Sequence, residues 1–236
     1  LSGTPVEAAL ALGSWGAFVA AKDGVMTMGD LVLLESELTP VVTAFQAAGF
    51  DILAIHNHLV NESPHVVYIH FAKHGDPAAL ARGLKAVLEK TKTPMGAAAA
   101  AVGPAGAEQA IFKRVQDVLG HGGTMAGKVL QVGVPRAERI EEHGMEIPPS
   151  MGMANSMNFE IVGERVATTG DFVLVASEVN PVIRELRAHG LDVTALHSHM
   201  LEESPRLFFM HFWGVDTPEK IGTALKAALS KVNVRK

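Results

Sequence analysis

An internal duplication is the sequence feature that most limits how this chain can fold. When the chain is shifted by 141 residues, residues 25–88 align with residues 166–229 without a gap, and 26 of these 64 positions are identical. A single repeat of this length indicates two related modules, whereas a solenoid needs several short units. We therefore expect a pseudo-twofold arrangement of two modules.

Each copy has the same order of predicted elements. Runs rich in β-branched and aromatic residues at 171–179, 192–199 and 206–213 predict strands, and 180–190 and 217–231 have the proline and apolar spacing of short amphipathic helices. Residues 10–22 and 151–163 also match in register ahead of these elements. The sequence predicts an α+β fold of two tandem β-α-β-β-α repeats, with mainly antiparallel sheets and helices packed on one sheet face.

The boundary between the modules is predicted from composition. Residues 93–106 are rich in Ala, Gly and Pro and are interpreted as a linker. Residues 1–92 form the first module, which we expect to be incomplete at its N-terminus. Residues 107–236 form the second, with an additional helix at 107–120 and an additional strand at 126–136.

Composition excludes several classes of function. A net charge of -5 without a cluster of Lys and Arg argues against nucleic acid as a partner. The apolar stretches end well before the roughly 18 residues of a membrane span, so no transmembrane segment is predicted. The chain has no cysteine, so a bound metal would need His, carboxylate or water as ligands.

Three histidines of each copy are in register with three of the other copy. Since side chains alternate faces along a strand, the two members of each His-x-His sequence should share a face. If the next strand returns antiparallel with His56 opposite His70, the third histidine joins the same face. The predicted metal ligands are His56, His58 and His70 in the first module, and His197, His199 and His211 in the second.

Three imidazoles on adjacent strands can hold a metal and leave a coordination position open. Imidazole ligands suit Zn and Cu, so a Zn or Cu ion is the expected cofactor, at about one ion per triad. Whether the triads form separate sites or one shared site stays open, and an inherited packing role would also keep the histidines in register.

Other repeated or clustered residues have two interpretations each. Glu62 and Glu203 follow the His-x-His sequences and could act as a base or bind metal, or could hydrogen-bond the backbone of the turn. Asp30 and Asp171 are interpreted as turn residues. The methionines of 151–157 could bind Cu(I), but are interpreted as core or cleft residues.

The strings "ALHSHMLEESPRLFFMHFW", "TGDFVL" and "EVNPVIRELRAHG" resemble the LppY/LpqO-type family of bacterial proteins. This family is a doubled domain of unknown function that often occurs in secreted or lipid-anchored proteins. The resemblance covers about residues 10–232 and implies a periplasmic or secreted location. It assigns no activity to any residue.

Three functions remain open on the sequence alone. The first is a metal-binding protein of the bacterial envelope. The second is a metal-dependent hydrolase or hydratase that uses a His₃-bound water, with Glu62 or Glu203 as base. The third is a non-metal ligand-binding or interaction module. Whether the chain is an enzyme is not decided, and the expected partner is a metal ion or small molecule, with a homo-oligomer left open.

Overall fold

The structure is a computed structural model that describes residues 1–95, 104 and 106–235. The proposed linker, residues 93–106, lies largely outside the described residues. The first module contains α1 (Ala8–Ala11), β1 (Trp15–Ala21), β2 (Gly24–Leu34), α2 (Leu38–Ala47), β3 (Asp51–His56), β4 (Val66–Gly75) and α3 (Pro77–Leu88). Its strands form an antiparallel sheet in the order β1-β2-β4-β3.

The second module repeats this arrangement and extends it. It contains α4 (Ala107–Leu119), β5 (Thr124–Ala126), β6 (Val129–Pro135), β7 (Glu141–Glu142), β8 (Met145–Glu146), β9 (Ala154–Val162), β10 (Arg165–Leu174), α5 (Ala176–Ala188), β11 (Asp192–His197), β12 (Phe208–Asp216) and α6 (Pro218–Leu229). Six of the strands form a sheet in the order β11-β12-β10-β9-β6-β5, and β7 pairs with β8. The additional helix and strand predicted in this module are present as α4 and β6.

The helices cover the outer face of each sheet. In the first module, Phe45 of α2 and Leu84 of α3 pack against Phe71 of β4. In the second, Val182 of α5 and Leu225 of α6 belong to the same buried cluster as Phe212 of β12. These amphipathic helices each bury one apolar stripe, as the sequence pattern predicts.

The inner faces of the two sheets pack against each other. A buried cluster there combines Met28 and Leu53 of the first module with Val173, Leu207 and Phe209 of the second. The order of layers is therefore helices, sheet, sheet, helices, which confirms the predicted α+β fold with helices on one face of each sheet. Because side chains alternate along a strand, the residues between the helix-facing ones in β4 and β12 point into the interface between modules.

A candidate six-histidine metal centre between the modules

The histidines lie on corresponding elements of the two modules. His56 and His197 are the last residues of β3 and β11, and His70 and His211 lie within β4 and β12. The remaining pair, His58 and His199, lies two residues beyond its strand, in the loop that carries the Glu-Ser-Pro sequence. Strand alternation and the start of this loop together direct all six side chains toward the other module.

The strand register differs from the predicted one by two residues. His56 is opposite Tyr68, and His70 is opposite Ala54. The pairing of β3 with β4 also shifts by one residue between Ile52 and Ala54. The second module has the same register, with His197 opposite Phe209. A shift of two residues keeps the side chains on the same face, so the triads still converge although the assumed pairing was wrong.

The six rings form three stacked pairs across the module interface. Each pair takes one ring from each module, and the centroid distances are 3.7 Å for His56 and His197, 3.7 Å for His58 and His211, and 3.8 Å for His70 and His199. Within the first triad, the His56 ring lies 4.8 Å from His58 and 4.9 Å from His70. The second triad repeats both distances, so the pseudo-twofold axis passes through the cluster.

An aromatic ring closes two of the three stacks. Tyr68 stacks on His58 at 3.5 Å, and Phe209 stacks on His199 at 3.7 Å. These two residues occupy equivalent positions of the repeat, although one is a phenol and the other a phenyl ring. The shared property is therefore the flat apolar face, which fixes the plane of the neighbouring imidazole.

Most ring nitrogens of the cluster lack partners among the described residues. The Nε2 atoms of all six histidines and the Nδ1 atoms of His56 and His197 are buried, and of these only Nε2 of His211 lies within hydrogen-bond distance of a polar atom, Oδ1 of Asp171. Buried polar atoms without a partner are rare in folded proteins and commonly mark a site for water or an ion. Here the unpaired atoms are concentrated at one place between the modules.

Two overlapping groups of four histidines have ligand atoms within 4.8 Å of one another. One group is His56, His58, His70 and His199, and the other is His58, His197, His199 and His211. Each group takes three histidines from one module and one from the other, and both contain His58 and His199. Four nitrogens at about 2.0–2.1 Å from one tetrahedral Zn ion lie about 3.3–3.4 Å apart, so either group would contract by up to about 1.4 Å on binding the metal.

Burial keeps the imidazoles in the neutral, metal-binding form. Loss of hydration, reinforced by the neighbouring imidazoles, lowers the pKa of His56 to about 2. Burial likewise lowers the pKa of His70 to about 3 and that of His197 to about 4. The pKa values of His58 and His199 also lie well below the usual range, again mainly through burial. No proton therefore has to be displaced from these rings at neutral pH before a metal binds.

Two aspartates border the cluster, and the sequence interpretation of them as turn residues was wrong. Asp30 and Asp171 lie within β2 and β10, directly opposite His70 and His211. An oxygen of Asp30 is 3.6 Å from Nε2 of His70, and an oxygen of Asp171 is 2.9 Å from Nε2 of His211. Burial, together with the neighbouring Asp171, raises the pKa of Asp30 well above its usual range.

The repeat itself contained the information that these aspartates matter. In both modules a glycine precedes the aspartate, and a Cβ at Gly170 would lie 1.9 Å from the backbone oxygen of Ser156 in β9. The same steric argument applies to Gly29 beside Trp15 of β1. The glycine therefore allows the neighbouring strand to approach closely. Of the two retained residues, the aspartate is the one whose side chain faces the site.

The glutamates of the turns make local contacts. Glu62 accepts a hydrogen bond from the backbone N–H of Val66 at 3.3 Å and lies 3.0 Å from Nδ1 of His65. Glu203 accepts from the backbone N–H of Leu207 at 3.0 Å and from Arg206 at 3.1 Å. Neither belongs to the two groups of converging ligand atoms. These contacts match the alternative in which the glutamates organise the turn.

The methionines near the site are core residues, as interpreted from the sequence. Met151, Met153 and Met157 are almost completely buried. The first two lie beside His70 and His199 with other apolar side chains, where only a very small void remains. This end of the histidine cluster is closed.

The opposite end of the cluster opens into a cavity of about 590 Å³. His58, His211, Asp30 and Asp171 line its floor, and Trp15 lines its wall. Helix α1 also contributes, because the backbone oxygens of Ala9 and Leu10 accept hydrogen bonds from the side chains of Gln131 and Asn158. The pseudo-symmetric cluster is therefore accessible from one side.

Comparison with protein families gives one match. The model of a family described as Domain of Unknown Function (DUF1259) matches residues 1–90 and 113–231, which include both histidine triads. No curated protein matches the chain.

Comparison with solved structures finds proteins with very low similarity. Ethanolamine utilization protein EutL from Leptotrichia buccalis C-1013-b has 10% identity and a TM-score of 0.26, covering 94% of this chain and 91% of that chain. EutL from Clostridium perfringens has 10% identity and a TM-score of 0.23, with 89% and 79% covered. A trimeric bacterial microcompartment shell protein, PduB, has 7% identity and a TM-score of 0.25, with 93% and 86% covered.

These comparisons correct one expectation. The periplasmic or secreted location, and with it a role in the bacterial envelope, was inferred from the family resemblance. The structures found are described as an ethanolamine utilization protein and microcompartment shell proteins, and none of these three is described as secreted, periplasmic or metal-binding. The expectation is therefore withdrawn. At such TM-scores the likeness transfers no role to this chain.

The structure agrees with the sequence on membrane spans. Among the helices of the described residues, none is long and apolar enough to cross a membrane.

Proposed function

Since the chain belongs to the Domain of Unknown Function (DUF1259) family, whose description names no activity, we propose a function from the site itself. The protein binds one divalent transition-metal ion, Zn or Cu, through histidines of both modules. The observation that carries this proposal is the convergence of six buried Nε2 atoms, five of which have no hydrogen-bond partner among the described residues. Neutral imidazoles suit Zn and Cu, and the chain offers no thiolate that could compete.

The overlap of the two histidine groups supports one ion per chain. His58 and His199 belong to both groups, and an imidazole whose Nε2 binds one ion cannot offer that nitrogen to a second. Since each group contains ligands from both modules, binding would also join the modules. We therefore propose one ion per chain, in place of the one ion per triad that the sequence suggested.

Metal content tests this proposal directly. Protein purified without a histidine tag, stripped with a chelator and dialysed against Zn or Cu should contain one ion per chain by elemental analysis. Two ions per chain would contradict the shared site, and no uptake of either metal would overturn the proposal.

Phenylalanine variants test the ligand assignment while preserving the stacked rings. His58→Phe and His199→Phe remove a ligand common to both groups and should weaken Zn binding by at least about 100-fold, more than His56→Phe does. His74→Phe, at an exposed position of the same strand as His70, is the matched control and should bind Zn normally. Equal Zn affinity in all four variants would show that these rings are not the ligands.

A metal-dependent hydrolase or hydratase is a second candidate. The observation that favours it is the cavity, which reaches His58 and His211 and is bordered by Asp171. With a metal in the cluster, Asp171 is better placed as a base than Glu62 or Glu203, whose oxygens bind the turn backbone. Zn-loaded protein should then hydrolyse simple esters or hydrate CO₂, and Asp171→Asn should lose that activity while keeping its Zn content. No turnover by the Zn-loaded protein would leave metal binding without catalysis.

A further inference from the structure

We propose that the cavity beside His58 and His211 binds a small, uncharged, polyhydroxylated molecule of about the size of a mono- or disaccharide. Its volume of about 590 Å³ lies within the range of ligand pockets, about 300–1,000 Å³. The proposal deepens the proposed function, because it names the class of molecule that would lie next to the metal.

The cavity offers two hydrogen-bond acceptors that have no partner among the described residues. They are Oδ1 of Asp30 and Oδ1 of Asn158. Asp171 also lines the cavity, and its Oδ1 lies 2.9 Å from Nε2 of His211. The Asp30 side chain is only 7% exposed, so bulk water reaches it poorly. Unpaired buried oxygens of this kind carry a desolvation cost that a ligand with several hydrogen-bond donors removes.

Helix α1 makes the cavity rich in acceptors. Asn158 donates its amide N–H to the backbone oxygen of Leu10 at 2.7 Å, and Gln131 donates to that of Ala9 at 3.1 Å. Each of these two amide side chains thereby uses one of its N–H donors within the protein, so that donor is not free to bind a ligand. For Asn158 the amide oxygen is left buried without a partner.

The charges of the cavity argue against an anionic ligand. Among the described residues that line it, none is Lys or Arg, and two are aspartates. In the metal-free protein, an organic anion would therefore meet carboxyl groups without a fixed cation of the protein to bind it.

The neighbouring metal site argues against a cationic ligand, and this step rests on the proposed function. A divalent ion held by neutral imidazoles would repel an ammonium group in the adjoining cavity. A hydroxyl group both donates and accepts. It can therefore pair with an ionised carboxylate or with the O–H of a protonated carboxyl group, whereas an ammonium group only donates. Uncharged hydroxyl groups match these conditions.

Trp15 supplies an apolar surface to the same cavity. This residue is 36% exposed. The equivalent position of the second module is Ser156, which also lines the cavity. The lining therefore combines a flat indole with polar side chains, a combination that fits the C–H face and the hydroxyl groups of a sugar ring.

Calorimetric titration with a series of matched ligands tests the proposal. Sorbitol, glucamine and gluconate share a six-carbon polyol chain and are neutral, cationic and anionic, and glucose adds the ring form. We expect sorbitol or glucose to bind at least about 10-fold more tightly than gluconate to the Zn-free protein, and at least about 10-fold more tightly than glucamine to the Zn-loaded protein. No binding of either neutral polyol up to about 10 mM, or tighter binding of the charged analogue in either comparison, overturns the proposal.

Variants in the cavity distinguish this site from the metal centre. Thr169 also lines the cavity. Asn158→Leu and the isosteric Thr169→Val should each weaken binding of the neutral polyol several-fold and leave Zn content at its normal value. Asn180→Leu, at an exposed position of α5, is the matched control and should bind normally. Unchanged affinity in both cavity variants would overturn the assignment.

The metal proposal is judged separately, by Zn content and by a titration of the Zn-free protein. A chain that binds a neutral polyol but takes up no Zn would refute the metal centre and retain the polyol site. A chain that takes up one Zn but binds no neutral polyol would refute the polyol site and retain the metal centre.

Discussion

Glu178 shows how one buried side chain joins three parts of the second module. Its carboxylate accepts hydrogen bonds from the backbone N–H of Val175 at 3.0 Å and from that of Asn233 at 2.9 Å. It also pairs with the guanidinium of Arg136, which is almost completely buried and donates to the backbone oxygen of Val173. The equivalent Glu37 likewise accepts from two backbone N–H groups, those of Leu34 and Lys92.

Removal of this carboxylate should destabilise the protein strongly. Among the described residues, Glu178→Ala leaves the buried charge of Arg136 with only Glu138 as a charged partner, and loss of one member of a buried ion pair costs about 3–5 kcal/mol. Urea unfolding measures this loss. The comparison variant is Glu219→Ala, whose partner Arg114 is exposed, and it should change stability little. A similarly small effect of Glu178→Ala would show that the pair at Arg136 is not structural.

Helix α5 begins earlier than its sequence pattern suggests. The predicted strand 171–179 ends at Leu174, and the helix starts at Ala176 instead of after Asn180. Glu178 explains the difference, because it binds the backbone N–H of Val175 and so satisfies the first turn. Pro181 consequently lies inside the helix, whereas the sequence pattern places it at the first helical position.

Replacement of this proline should stabilise the helix. Pro181 has no N–H to donate to the carbonyl of Ser177, and a proline in a helix interior costs about 3 kcal/mol relative to alanine. Pro181→Ala should therefore raise the free energy of unfolding by about 1–3 kcal/mol in chemical denaturation. Pro218→Ala serves as the contrast, since Pro218 is at the first position of α6, where proline is favourable, and should give no gain. A loss of stability in Pro181→Ala would mean that the proline shapes the helix for packing.

For the whole molecule, the histidine cluster predicts how the stability of the metal-free chain depends on pH. The folded-state pKa values of about 2, 3 and 4 for His56, His70 and His197 lie below the ordinary value of 6.5. As pH falls below 6.5, the unfolded chain binds protons that the folded chain does not, so the contribution of these histidines to stability is full above pH 6.5 and decreases as pH falls from 6.5 toward about 2. Each such histidine contributes a slope of at most about 1.4 kcal/mol per pH unit.

Unfolding measured by urea at several pH values checks this dependence. His56→Phe should make the slope between pH 6.5 and 4 shallower, because one group no longer titrates in the unfolded chain. His189→Phe, at an exposed position, should leave the slope nearly unchanged. Stability that stays constant through this window would contradict neutral, buried histidines in the cluster.

The sequence determined the repeat, the α+β character and the residues that face inward. Strand alternation has a period of two, so His56, His70 and their equivalents share a face in any even register, and the error of two residues in the assumed pairing did not move them. The duplication also marked Asp30 and Asp171, although their role could not be read from a pattern that resembles a turn.

The tertiary structure alone decided that the two triads form one cluster. Contacts between His56 and His197, and the sharing of His58 and His199 between groups, depend on how two sheets pack, which involves residues more than a hundred positions apart. The access route was equally unpredictable, since α1 of the first module lies against β9 and β10 of the second and borders the cavity. Local periodicity determines on which face of a sheet a side chain lies. Which other sheet packs against that face is determined by the burial of apolar surface between residues far apart in the sequence.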